Sequence, residues 1–133
     1  PTPTQPTGQM IQTEMQMPTT EGVLAAAEAV AAILPPTPLL PIEIGGVRAW
    51  VKADNLQPIG SFKIRGAWWR LSNLSEEQRR GGVVAVSSGN HAQGVAWSAR
   101  RLGIRATIVM PHDAPEVKLA NTKALGAAVV LYQ

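Results

Sequence analysis

The stretch from residue 83 to residue 132 alternates apolar runs with helical segments, and this alternation restricts the fold more than any other feature. Short, continuous apolar runs at residues 83–86, 106–110 and 128–132 are typical of strands buried in a parallel sheet. Between them, residues 91–102 and 115–125 have helical periodicity, and each is followed by a glycine suited to a helix C-terminus. Strand, helix, strand, helix, strand at this spacing predicts an α/β fold with a parallel sheet and right-handed crossovers.

The segment DNLQPIGSFKIRGA, residues 54–67, predicts a turn and the start of a helix. A strand-like run at 48–53 precedes it, and Asn, Pro and Gly residues then break the extended pattern. Ser61 suits the N-cap of a helix over residues 62–71. Lys63 then falls in the first turn, where the helix dipole disfavours a cation, so partial burial would leave more of its amine neutral. A neutral lysine amine forms Schiff bases with aldehydes, although a lysine near a helix start is usually a solvated surface residue.

A second segment, SSGNHAQG at residues 87–94, joins the first strand of the alternating region to its helix. Free backbone N–H groups converge where a strand ends in a small polar turn and a helix begins, and such places bind anions. Two hydroxyls and a carboxamide add donors there. Taken alone, the segment can equally be a loop in which Ser or Asn caps the helix, and a lone histidine there is more often structural.

Together the two segments resemble the fold-type II pyridoxal-phosphate (PLP) enzymes, within them the threonine/serine dehydratase and serine racemase branch. The pattern N-L-Q-P-x-G-S-F-K-x-R-G-A matches at nearly every position from 55 to 67, and Ile59 departs from the polar residue that the family often has. The Thr-Pro-Leu-Leu at 37–40 resembles the entry segment of the same family. The resemblance covers residues 20–133 as the N-terminal part of such enzymes. It implies a tryptophan-synthase-β-like fold with a parallel βαβαβ small domain.

The resemblance also implies roles for individual residues. Lys63 would carry the Schiff base with PLP and act as the base once freed, with the ring of Phe62 against the pyridine ring. Asn90 would contact the 3′-oxygen of PLP. Ser88 occupies the place of a racemase's second proton-transfer residue, which makes it the other candidate catalytic residue and is compatible with dehydration and racemisation. The residues expected to hold the substrate carboxylate are Ser87, Ser88, Gly89, Asn90 and His91.

For such a site the resemblance implies a PLP-dependent ammonia-lyase that converts serine, threonine or another hydroxy amino acid to a 2-oxo acid and ammonia. Two alternatives remain open: a serine racemase-type activity, and a non-catalytic α/β module left after loss of the C-terminal half. The family's glycine-rich phosphate loop and the residue facing the pyridine nitrogen come later in its sequences, and neither occurs in these 133 residues. We therefore expect a truncated part that is inactive alone, and a homo-oligomer in the full-length form.

The N-terminal half of the sequence predicts a tail, a helix and a hairpin. Residues 1–19 are rich in Pro, Thr, Gln and Met without apolar periodicity, which is typical of a flexible tail. Thr20 suits the N-cap of a helix over 21–34, and the Pro-Pro pair that follows ends it. Its apolar residues fall along one face at helical spacing. Two glycines between the apolar runs 39–44 and 48–53 predict a hairpin turn.

These patterns and the resemblance divide the chain into three parts. After the tail, residues 20–82 are expected to form the N-terminal part of the large PLP-binding domain, with the lysine helix. Residues 83–133 are expected to form the βαβαβ unit of an incomplete small domain.

Composition excludes several classes of function. The chain contains no cysteine, which excludes disulfides and thiolate chemistry, and its two histidines lack a metal-ligand spacing with carboxylates. The net charge is +3, and the 12 basic residues are scattered, unlike the basic stripe of a nucleic-acid binder. The most apolar run, residues 23–34, is too short to span a membrane and has no signal-peptide pattern. We therefore expect a cytoplasmic protein without a metal, nucleic acid or membrane partner. A small amino acid as its substrate is what the resemblance implies.

Overall fold

The computed structural model of the protein describes residues 17–133, so the predicted tail at residues 1–19 lies almost entirely outside the described residues. A short 3-10 turn at Asp54–Leu56, inside the segment for which the sequence predicts a turn, joins the hairpin to the lysine segment. The helices and strands, in chain order, are α1 Thr20–Ala31, β1 Leu39–Ile44, β2 Val47–Lys52, α2 Lys63–Ser72, α3 Glu76–Gly81, β3 Val83–Val86, α4 Asn90–Leu102, β4 Ala106–Pro111, α5 Glu116–Ala124 and β5 Ala128–Tyr132.

The predicted parallel sheet is confirmed, with strand order β3-β4-β5. Its central strand β4 carries Ile108 and Met110, both fully buried. Helix α4 packs on this side, and the apolar face predicted for it is buried except for the half-buried Leu102. The buried members of that face are Ala92, Val95, Ala96 and Ala99. The core of the described residues therefore lies between α4 and one face of the sheet.

The opposite face of this sheet is apolar and open. Val84 and Val86 are 72% and 69% exposed, and Val130 on β5 is 51% exposed. The register pairs Val86 with Val109 and Val109 with Val130, so these side chains share one face. Parallel sheets are usually covered on both faces, so the described residues leave a surface that is suited to further packing.

The predicted hairpin is also confirmed. Strands β1 and β2 pair antiparallel, with Ile44 opposite Val47, which leaves a two-residue loop. Gly45 and Gly46 have φ angles of +58° and +79°, the left-handed backbone that a type I′ turn requires at both central positions. The second strand ends at Lys52, one residue earlier than predicted, and the backbone reaches the 3-10 turn directly afterwards.

Helix α1 differs from its prediction at both ends. Thr19, and not Thr20, is the N-cap, because its hydroxyl accepts the N–H of Gly22 at 3.0 Å. The helix ends at Ala31 and not at residue 34. The physical reason is local: Leu34 precedes a proline, a position that disfavours helical backbone, so the chain leaves the helix in the preceding turn.

The apolar face of α1 is not buried by the described residues. No residue of this helix is buried, and Val23 on the predicted apolar face is 59% exposed. The helix is held to α2 through Trp68, whose indole N–H donates to the carbonyl of Ala29 at 3.1 Å. Only the segment after the helix reaches the interior, through Leu34 at 3% exposure.

Candidate active site

Lys63 is the first residue of α2 and is exposed. The next residue, Ile64, is fully buried, and Ala67 one turn later is 3% exposed, so the buried side of the helix lies away from the lysine. Core packing thus fixes the orientation of the helix and leaves the amine accessible. The partial burial expected for this amine is not provided by residues 17–133.

The N-terminus of α2 is built differently from the prediction. The helix begins at Lys63 after Phe62, and Ser61 does not cap it. The N–H of Arg65 donates to the carbonyl of Phe62 at 3.1 Å, and no side chain caps the helix. The hydroxyl of Ser61 is instead buried and has no partner among the described residues.

Phe62 and Lys63 lie together at the surface. The phenyl ring is 58% exposed, and the ammonium nitrogen of Lys63 is 5.1 Å from its centroid, within range of a cation–π contact. Within residues 17–133, the lysine side chain makes no ion pair or hydrogen bond. An aromatic face and an accessible amine therefore adjoin at one place on the surface.

An ion pair closes the loop that leads to Lys63. Arg65 donates through Nη2 to Oδ1 of Asp54 at 2.8 Å, and the hydroxyl of Thr37 donates to the same oxygen at 2.6 Å. These contacts connect the start of the loop to the helix two residues beyond the lysine. The guanidinium of Arg65 therefore pairs with a carboxylate inside the loop.

The carboxyl of Asp54 has its pKa held below the ordinary value. Burial by itself raises this pKa, but the hydrogen bonds from Thr37 and Arg65 and the positive charges of Arg65 and Lys52 together outweigh it. Because the folded-state pKa is depressed, the contact stabilises the fold above the unfolded-state pKa. That stabilisation is lost as pH falls through the folded-state pKa.

Replacing Asp54 by asparagine is expected to lower the free energy of unfolding by about 1–2 kcal/mol at neutral pH, because it removes a charge-assisted contact. The difference from the native chain should shrink as the pH falls through the acidic range, which urea unfolding at a series of pH values would measure. Asp113→Asn, at an exposed carboxylate, serves as the control and should have little effect. A loss for Asp54→Asn that is the same at every pH would contradict the assigned role.

The turn between β3 and α4 is held by Ser87. Its backbone N–H donates to the carbonyl of Val109 at 3.0 Å, which ties the turn to the central strand. Its hydroxyl oxygen accepts the N–H groups of Gly89 at 3.3 Å and Ala92 at 3.2 Å. Both acceptor positions of this hydroxyl are thus used inside the turn, and its O–H proton remains able to donate.

Three backbone N–H groups of this turn face no acceptor. No described residue accepts from the N–H of Ser88, Asn90 or His91, and the side chains of these three residues are exposed. Two of the three N–H groups belong to the first turn of α4, a helix of 13 residues. Unpaired N–H groups together with the positive end of a helix dipole favour an anion at this position.

Helix α2, which begins with Lys63, packs closely on α4, which begins with this turn. These two helices share the most extensive contact between elements of the described residues. At Gly94, in the second turn of α4, an added Cβ would lie 3.1 Å from the carbonyl oxygen of Lys63 and 3.3 Å from Cβ of Ala67. The backbone of the lysine helix therefore lies directly against the helix that begins with the turn.

Sequence reasoning missed three features of this region. Gly94 allows the close helix contact, Gln93 is 4% exposed with no partner for Nε2 among the described residues, and Lys118 of α5 contacts Asn90. A signal for Lys118 was present in the sequence. It is a cation in the first turn of a helix, where the dipole is unfavourable.

No group of three or more His, Cys, Asp or Glu residues within 17–133 could hold a metal ion. No helix formed by these residues has both the length and the apolar character needed to cross a membrane.

The parallel α/β architecture and the lysine at a helix start place the chain in a known class of protein. Residues 30–133 match the family described as "Pyridoxal-phosphate dependent enzyme", and the chain belongs to this family. Among solved structures, maize serine racemase superposes with a TM-score of 0.78 at 36% identity, over 84% of this chain and 35% of that one. The predicted fold-type II PLP architecture is thereby confirmed.

The curated relatives of the chain are named as ammonia-lyases and serine racemases. The L-threonine ammonia-lyase of Thermotoga maritima is 56% identical over 89 residues, 67% of this chain and 22% of the relative. The L-threo-3-hydroxyaspartate ammonia-lyase of Pseudomonas sp. is 48% identical over 122 residues, which are 89% and 38% of the two chains. Serine racemase of Schizosaccharomyces pombe is 44% identical over 120 residues, which are 87% of this chain and 37% of the relative. The chain thus spans 22–38% of the length of these three relatives.

Pyridoxal phosphate is the cofactor of this family, and the residues present fit it. An aldehyde needs an accessible amine, which Lys63 offers without an ion pair among the described residues. The aromatic ring of Phe62 adjoins that amine, and the unpaired N–H groups of the α4 turn suit an anionic ligand.

Proposed function

We propose that the chain is part of a PLP-dependent ammonia-lyase of the serine/threonine dehydratase type. Such an enzyme converts a small hydroxy amino acid to a 2-oxo acid and ammonia. The observation that carries the proposal is the packing of the accessible Lys63 helix against the helix whose first turn has unpaired N–H groups. Relatives named as threonine and hydroxyaspartate ammonia-lyases support the choice of reaction.

Lys63 would hold the cofactor through its side-chain amine, and the same Nζ would take up the Cα proton of the substrate. The bound cofactor supplies an electron sink for the pair of electrons left on Cα. Phe62 provides an aromatic face beside the amine. Because the ring is exposed, it can meet a flat ligand without displacing a described neighbour.

The turn from Ser87 to His91 binds the substrate carboxylate in this proposal. Its unpaired N–H groups donate to the carboxylate oxygens, and Gly89 keeps the turn free of a side chain between them. The O–H of Ser87 can add a donor, because its contacts within the turn use only the oxygen lone pairs. Holding the carboxylate fixes which bond at Cα is aligned for cleavage, which is the main contribution of an oriented site.

Asn90 and Ser88 complete the proposed site. The carboxamide of Asn90 donates from Nδ2 to the 3′-oxygen of the cofactor, and the exposed hydroxyl of Ser88 serves as the second proton-transfer group. A hydroxyl at this position suits both elimination and racemisation. Serine racemase activity is therefore the second candidate, and it is supported by the relatives of that name.

We further propose that these 133 residues alone do not turn over substrate, and that a non-catalytic module remains an alternative for them. Lys63 and Phe62 are exposed and one apolar face of the sheet is open, so a bound substrate would remain in water. The two-domain division at residues 82 and 83, a homo-oligomer and a cytoplasmic location remain predictions.

A chimera tests the reaction class. Residues 30–133 would replace the matching N-terminal segment of the Thermotoga maritima L-threonine ammonia-lyase, so that the remaining parts of an active site are supplied. With L-threonine or L-serine, 2-oxo acid should form, and Lys63→Ala in the same chimera should form none. Accumulation of D-serine instead would favour the racemase alternative. A chimera that melts cooperatively but forms neither product would contradict both enzymatic proposals.

A further inference from the structure

Lys118, which no motif singled out, contacts a proposed cofactor-binding residue. Its Nζ lies 2.6 Å from Oδ1 of Asn90, the first residue of α4. Lys118 itself is the third residue of α5, and its backbone is fixed there. Its N–H donates to the carbonyl of Pro115 at 2.9 Å, and its carbonyl accepts the hydroxyl of the fully buried Thr122 at 2.8 Å.

The chemistry of this contact determines which way the carboxamide of Asn90 is turned. An ammonium group has three donors and no acceptor, so the atom facing Lys118 must be the amide oxygen. The amide nitrogen Nδ2 then lies on the other arm of the planar group. No described residue accepts from Nδ2, which leaves both of its hydrogens able to donate to a ligand.

The position of Lys118 makes an incidental contact a poor explanation. The first turn of a helix disfavours a cation, and Lys118 stands in the first turn of α5 while it reaches the first turn of α4. A neutral carboxamide offsets this cost only in part, whereas a nearby anion would offset it more fully.

We propose that Lys118 is a positioning residue, whose ammonium holds the Asn90 carboxamide with Nδ2 directed at the 3′-oxygen of the cofactor. The inference rests on the proposed function for the identity of that acceptor. The orientation of the carboxamide itself does not depend on it. Removing Lys118 lets the amide adopt either orientation, and only one of them presents a donor.

The orientation is tested first without cofactor. In the ¹⁵N-labelled chain, the side-chain NH₂ resonances of Asn90 should shift in Lys118→Met, and they should return towards their native positions in Lys118→Arg, which restores a donor. Lys123→Met, at an exposed lysine of the same helix, is the matched control and should leave them unchanged. Unchanged Asn90 resonances in Lys118→Met would overturn the inference, whatever the cofactor does.

The functional consequence is tested with PLP and borohydride reduction, which fixes the cofactor on the lysine that holds it. Lys118→Met should reduce labelling of Lys63 at limiting PLP about three- to tenfold, the range expected for one charge-assisted hydrogen bond. Asn90→Asp should reduce it at least as much. It keeps the acceptor for Lys118 but has no N–H to donate.

The possible results separate the two proposals. Absence of any label on Lys63 in the native chain would remove the proposed function, while the Asn90 resonances still decide the orientation. Native labelling in Lys118→Met, or in Asn90→Asp, would overturn the positioning role even if the resonances move.

Discussion

Replacing Lys63 by alanine is expected to abolish covalent capture of pyridoxal phosphate by the chain. The sequence contains four lysines, at positions 52, 63, 118 and 123. Lys52 donates to the carbonyl of Thr37 and Lys118 to Asn90, whereas Lys63 makes no hydrogen bond among the described residues. Incubation with PLP, reduction with borohydride and peptide mapping by mass spectrometry should place the label on the peptide that contains Lys63.

The matched control for this experiment is Lys123→Ala, which removes an exposed lysine far along α5 from its first turn. It should leave the label on Lys63 at the native level, because accessibility alone does not create a site. Label spread over several lysines in proportion to their exposure would contradict the account. The account would also be contradicted if the Lys63→Ala chain took up as much label in total as the native chain.

Replacing Gly94 by valine is expected to lower the free energy of unfolding by about 3 kcal/mol, the cost of forcing extra atoms into a packed interface. The first added carbon would already lie 3.1 Å from the carbonyl oxygen of Lys63, a backbone atom that cannot turn aside. Alanine at Gly94 should cost less, since better helix propensity offsets part of the clash. Urea or thermal unfolding of the three proteins would measure these differences.

Gly66 provides a control on the facing helix. It lies within α2, and an added Cβ would meet no heavy atom within 4 Å. Gly66→Ala should therefore raise the free energy of unfolding by up to about 1 kcal/mol, because alanine favours helical backbone over glycine. If Gly94→Val and Gly66→Ala changed stability in the same direction, the two helices would not be packed as described.

The elements after residue 82 were the most predictable part of the fold. Short β-branched runs and helix-ending glycines are local signals, and β3 and β5 have the predicted bounds. The features that the sequence did not predict depend on tertiary contacts. The apolar stripe of α1 has helical spacing but is exposed, because burial depends on what lies opposite and the described residues provide only one side.

The candidate site shows the same division. Lys63 and the α4 turn were predictable as separate segments, because each carries a recognisable pattern of residues. Their contact through Gly94 could not be predicted, since it depends on how two helices cross. The ion pair of Asp54 with Arg65 and the contact of Lys118 with Asn90 likewise join residues 11 and 28 positions apart.

The central claim is that Lys63 and the first turn of α4 form one cofactor site, and a titration of the ¹⁵N-labelled chain with PLP tests it most directly. The backbone N–H resonances of Ser88, Asn90 and His91 should shift in the native chain, because these groups lack acceptors among residues 17–133. The same resonances should shift little or not at all in Lys63→Ala. Shifts confined to other parts of the chain, or identical shifts in both proteins, would contradict the claim.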